Sequence, residues 1–205
     1  MKYKTILNKI RHKYVIKKSR FICDLIPCND LEEVKKFLNE VKNEFPDATH
    51  HCYAYIGLPG TNEIEFKDDG EPSGTAGMPI LNMLKVNNLE GVLSIVTRYF
   101  GGIKLGANGL STAYATATNE AISKAKIVEA IYSLYVSFSL DYSKFEALKA
   151  NKNIDFDIIE VEYGKEVNIV VAVSKENYEE FESLISNLTS SKLEAKILKE
   201  DYHYY

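Results

Sequence analysis

Ten of the eleven glycines fall between Gly57 and Gly109, and all five prolines lie at or before Pro79. Glycine and proline punctuate a chain more strongly than any other residues, so turn chemistry is confined to the middle of the first two thirds. Beyond Gly109 only Gly164 remains, and the last third must be built from regular elements joined by few tight turns. That shift predicts two domains, residues 1–130 and 131–205. Charge divides at the same place. Through Ala130 there are 17 Lys and Arg against 15 Asp and Glu, and from Ile131 onward 8 against 14. The first twenty residues alone hold eight basic side chains and no acid, which points to an anionic partner for the first half or to a protected sheet edge.

Period resolves the elements between the turns. "HKYVIKKSRFICDLIP" reads as two short strands. Asp30 and Glu33 form an N-cap with its reciprocal partner. Leu31, Val34, Leu38, Val41 and Phe45 follow at helical steps, ending before Pro46. "HHCYAYIGL" and "NEIEF" pair across a turn at Pro59–Gly60, "TAGMPILNMLKV" is a short helix, and "GVLSIVTRYF" is a buried strand. Gly106 to Lys124 forms a long alanine-rich helix whose small residues let it lie close to a sheet. After Ala130 the order is strand, a helix opened by Ser143 and Glu146, strand, a hairpin at Gly164, strand, a helix capped by Ser174, and strand. This βαββαβ order is the ferredoxin-like arrangement. The fold class is therefore α+β.

No apolar run reaches bilayer-spanning length, and the basic start lacks an apolar signal core, so a cytoplasmic protein is expected. Cys23, Cys28 and Cys52 form no CxxC pair and read as small buried hydrophobes in a reducing compartment.

Two glycine-rich blocks carry the candidate chemistry. In "DDGEPSGTAGMPIL", Ser73 and Thr75 stand where a helix begins and exposes unpaired N–H groups. Asp68, Asp69 and Glu71 would repel a bare phosphate; they suit one that arrives with a divalent metal, or they cap neighbouring turns. In "TRYFGGIKLGANGL", Arg98 and Lys104 flank Gly101 and Gly102, with Gly106 and Gly109 beyond. Strand, glycine loop, two cations and helix start are a general recipe for phosphate, and nucleic-acid backbone is one source of it. Neither the Walker A nor the dinucleotide-binding spacing is present. Tyr99 adds a stacking surface, while strand alternation assigns Phe100 to the core. His50 and His51 precede Cys52; alternation sends His51 to the opposite face from His50 and Cys52, so a metal site here would need partners from elsewhere such as Asp68, Asp69 or Glu71, and a histidine hydrogen-bonded into the acidic loop is the expectation. No cofactor is required by any spacing.

"KKSRFI" (Lys17 to Ile22), "ATHHCYAY" (Ala48 to Tyr55) and the two glycine-rich blocks, in this order, resemble the Impact/YigZ family. The resemblance covers the first domain; in the second it rests on element order. Tyr53 follows Cys52 where family members often carry Trp, so an aromatic ring is kept. The resemblance implies a first domain like the second domain of ribosomal protein S-five, also found in elongation factor G domain IV. It also implies a second domain like elongation factor G domain V. Eukaryotic Impact proteins regulate translation through protein partners. The function expected is thus a translation-linked protein that binds RNA or a ribosome-associated factor. Arg98, Tyr99, Gly101, Gly102, Lys104, Gly106, Ser73 and Thr75 would meet phosphate or nucleic acid, and the basic start would extend that surface. The alternatives are an enzyme acting on a phosphorylated or metal-bound small molecule, with His50 or His51 moving protons, and a protein-interaction adaptor. A pI of 5.7 predicts local, salt-sensitive binding rather than general affinity for RNA.

Overall fold

The structure, a computed structural model, describes residues 2–189 and 195–205. It divides into two compact units, Tyr3–Glu129 and Ala130–Tyr205, the latter with Lys2.

In the first unit, β1 (Lys2–Ile6) leads to β2 (Ile10–Ile16) and β3 (Ser19–Pro27). There follow α1 (Leu31–Glu44), β4 (His50–Ile56), β5 (Ile64–Lys67), α2 (Gly77–Val86), β6 (Val92–Tyr99) and α3 (Gly106–Ile122). Strands run β2-β3-β6-β4-β5, each neighbour antiparallel to the next. Because side chains alternate across a strand, Phe21, Cys23, Leu25, Cys52, Ala54 and Val96 share one face. They pack there against Ile80 and Leu84 of α2 and Ala113, Tyr114 and Ala117 of α3. The other face carries Ile26, Tyr53, Tyr55, Leu93 and Ile95 against Val34 and Val41 of α1. Both faces of β4 and β6 are covered, which explains their unbroken apolar runs. Ala113, Ala117 and Ala121, at four-residue steps, are fully buried and bring α3 close to the sheet.

Asp30 caps α1 by accepting from the Glu32 and Glu33 N–H groups. The return bond of Glu33 goes to the Asn29 N–H at 2.8 Å, one residue upstream of the cap itself.

The second unit holds most of β7 (Ile127–Leu140), then α4 (Tyr142–Ala150), β8 (Phe156–Tyr163), β9 (Val167–Ser174), α5 (Tyr178–Thr189) and β10 (Lys196–Tyr204). The five-stranded sheet runs β1-β7-β9-β8 with β10 also paired to β7, and its β10-β7-β9-β8 part follows the ferredoxin-like order. Val136, Phe138, Ile169 and Val171 face Phe145 and Leu148 of α4 and Phe181 and Ile185 of α5. The helix expected to open at Ser143 begins one residue earlier. Asp141 takes the cap from the Lys144 N–H, and the Ser143 hydroxyl donates to that same carboxylate. Ser174 accepts from the Asn177 N–H at 3.2 Å, forming the turn that leads into α5.

Candidate functional site

The acidic block folds inward on itself. Asp68 Oδ2 accepts from the Gly74 N–H at 2.8 Å, and Oδ1 accepts from Ala76 at 3.0 Å and Gly77 at 2.8 Å. Ala76, the residue at the cap of α2, has no side-chain bond to offer, so Asp68 supplies it from eight residues upstream. Burial opposes the Asp68 charge, but the three N–H donors outweigh it and hold the carboxyl below its ordinary range. Asp69 accepts from the His51 N–H at 2.7 Å through its carboxylate, and its carbonyl lies 2.8 Å from His50 Nδ1. Thr75 is buried and donates to the Pro72 carbonyl, while Ser73 is exposed.

Glu71 joins this block to the next. It is buried, and its Oε1 accepts from Arg98 Nη1 and, at 2.8 Å, from the Tyr114 hydroxyl; His50 Nε2 stands 3.8 Å away. Arg98 is only 5% exposed, so its charge is matched internally by Glu71 rather than presented to solvent. Its guanidinium lies 5.4 Å from the Phe21 ring and 5.5 Å from the Phe100 ring. Cys52 Sγ sits 2.9 Å from the Asp68 carbonyl and 3.3 Å from the Tyr114 hydroxyl. Burial pushes the Cys52 thiol up to about 12, which removes it as a thiolate nucleophile at neutral pH. His51, on the other face, is held below its usual value by burial and lies 3.1 Å from the Phe45 carbonyl through Nε2. Among the described residues no group of three His, Cys, Asp or Glu could hold a metal ion.

The second block turns outward. β6 ends at Tyr99, so alternation no longer governs Phe100, and the ring assigned to the core is 47% exposed instead. Tyr99 is half-buried, donates to Asp47 at 2.8 Å, and carries the Arg20 guanidinium 4.4 Å above its ring. The Gly101 N–H donates to Ser19 Oγ at 3.1 Å, and a Cβ at Gly101 would stand 2.0 Å from the Lys18 carbonyl carbon. Only glycine permits that approach. It presses the β2–β3 turn against the loop that carries the exposed side chains of Phe100, Ile103 and Lys104. Gly102 follows at φ 82°, and Gly106 at φ 74° opens α3, whose cap residue Leu105 makes no side-chain bond. Among the described residues, no side chain is seen accepting from the first N–H groups of α3.

The turn itself is unusual. Lys17 (φ 44°) and Lys18 (φ 63°) both occupy the left-handed region, where a two-residue hairpin turn ordinarily places Asn-Gly. Two exposed lysines are therefore held in a conformation that costs about 1 kcal/mol each. The sequence marks a hairpin between the two strands here, but neither the left-handed conformation of its lysines nor the grip of Tyr114 on Glu71 follows from it. A signal for the second existed in a lone tyrosine set among alanines on the packing face of α3.

These features define a two-domain α+β protein. A buried Glu71–Arg98–Tyr114 knot holds its two glycine-rich blocks together, and a basic, aromatic loop cluster faces solvent. Residues 17–122 match the Impact N-terminal domain and residues 138–192 match a domain of unknown function, DUF1949. The chain is 35% identical over 195 residues to the IMPACT family member YvyE of Bacillus subtilis, covering 95% of this chain and 90% of that one. It is 33% identical over 188 residues to the IMPACT family member YigZ of Escherichia coli, covering 90% and 92%. A crystal structure described as that of a hypothetical protein superposes with a TM-score of 0.64 at 30% identity, covering 98% of both chains. The chain belongs to the IMPACT family.

Proposed function

We propose that this chain is a translation-linked binding protein that contacts RNA, on the ribosome or free, through the surface around the Lys17–Lys18 turn and the Gly101–Gly106 loop. One observation carries the reading. Two lysines are kept at positive φ at a turn locked by Gly101 onto a loop that exposes Phe100 and Lys104. Strain retained at an exposed basic tip is the kind a function maintains. Cations beside an exposed ring and an uncapped helix start suit phosphate and base stacking together.

In this reading Lys104, Lys17, Lys18 and the stacked Arg20–Tyr99 pair meet the nucleic acid, while Gly101, Gly102 and Gly106 shape the loop. Arg98 positions Phe100 rather than touching phosphate. Residues 1–130 form the RNA-contacting domain and residues 131–205 a second, docking domain. Membership of the IMPACT family supports the link to translation, as the resemblance to eukaryotic regulators implied. No helix of the described residues is long and apolar enough to cross a membrane. Cys23, Cys28 and Cys52 are unpaired and buried, which suits the cytoplasm. The enzyme reading needs Asp68, Asp69 and Glu71 for a substrate, and each already holds protein donors.

Labelled single-stranded RNA titrated at low and physiological salt tests this. Wild type should bind in a salt-sensitive way, and Lys104→Glu should lower the salt slope by about one or more. Lys17→Asn combined with Lys18→Gly should weaken binding yet raise stability by about 1 kcal/mol, because the new residues accept the turn's conformation. Unchanged binding in both variants, or no binding at either salt, would sink the RNA reading and favour a protein adaptor.

A further inference from the structure

Two strands stand at free ends of their sheets with opposite charge. β2 ends the first sheet and β8 ends the second, so the outward backbone groups of each have no strand partner among the described residues. Their lengths match, at seven and eight residues. The charged and imidazole side chains of β2 are Arg11, His12 and Lys13; those of β8 are Asp157, Glu160 and Glu162. Arg11 is engaged by Asp24 and Glu44, and Asp157 by His203. Lys13 and Glu160 are exposed and make no ion pair among the described residues. Apolar contacts are available as well, since Val15 is 53% exposed on β2 and Ile159 and Tyr163 are exposed on β8.

Charges on an edge ordinarily prevent strands of different molecules from pairing. Here a single sign on each edge deters β2 from β2 and β8 from β8, but it leaves the two edges complementary to each other. We propose that β2 of one copy adds to β8 of a second copy, continuing the sheet from one molecule into the next. Main-chain hydrogen bonds supply the attraction, and Lys13 opposite the Glu160–Glu162 segment sets the partner. The contact is head-to-tail, so it builds a ring if the rotation closes and a chain if it does not. It uses the flank of β2 and not the Lys17–Lys18 tip, and it stands apart from the RNA reading.

Sedimentation of the full chain over a range of concentrations, at low and high salt, tests the pairing. Species larger than a monomer should grow with concentration and recede in high salt. Lys13→Glu with Val15→Glu makes both edges acidic, and Glu160→Lys with Glu162→Lys makes both basic. All four positions are exposed or lie at the edge, so the fold is kept. Each double variant alone should lose self-association by about tenfold or more, and mixing the two should restore it, because each then meets the opposite charge. A monomer at every concentration, association indifferent to these substitutions, or no recovery on mixing would each overturn the proposal.

Discussion

Two glycine-rich loops each feed a helix in the first unit, and they finish in opposite ways. Before α2 the chain supplies its own anion: Asp68 reaches forward to Gly74, Ala76 and Gly77 and closes the helix start. Before α3 no side chain among the described residues does so, the loop exposes Phe100 and Lys104, and a strained lysine turn is pressed against it. One loop is finished as architecture, while the other is left as a surface. The difference teaches that a glycine-rich helix start is left open to a ligand only where the chain does not fill it from within. Glu71 and Arg98 tie the two together, so the inward loop serves as the foundation of the outward one.

That comparison can be broken first at the tie. Glu71→Gln leaves the Arg98 guanidinium buried without its counter-charge and should cost about 3 kcal/mol or more. Urea denaturation checks this, with the exposed Lys104→Glu as a control that should stay within about 0.5 kcal/mol of wild type. Equal stability of the two variants would mean that the knot holds nothing. Gly101→Ala comes next. Its Cβ has no room beside Lys18, so the turn must part from the loop at about 2–3 kcal/mol, and salt-sensitive RNA binding should fall with it. Gly102→Ala, with open space around it but φ at 82°, should cost only about 1 kcal/mol.

The smallest effect sharpens the inward half. Asp68→Ala should cost about 1–2 kcal/mol as a lost cap without weakening RNA binding. The sign with pH follows from the lowered pKa of Asp68. The stability it contributes is present above the unfolded value of about 3.9 and disappears as pH falls through the lower folded value. Wild type should therefore lose more stability than the variant between about pH 5 and pH 2. Parallel curves would show that Asp68 is no cap.

Much of this molecule is written locally. The five-helix pattern, the antiparallel hairpins and the two-part division follow from period, caps and the confinement of glycine, because each depends on residues a few positions apart. Asp30 shows this well: its cap lies two and three residues away, within reach of any sequence rule. Asp68 bonds six to nine residues ahead, Glu71 meets Arg98 27 residues on, and Tyr114 lies 43 residues from Glu71. No periodicity spans such distances, so the acids that looked available to a ligand were already engaged. Phe100 was misassigned because strand alternation stops where the strand does, and only the sheet's register decides that end.

The sequence by itself determined the elements other than β1 (Lys2–Ile6), their order, the two-domain plan and the family. It also marked the two loops as special, since glycine spacing and hydrophobic period are local signals. The tertiary structure alone decided which loop is sealed and which faces outward. Charge neutralisation and steric exclusion act between groups that only the folded chain brings into contact.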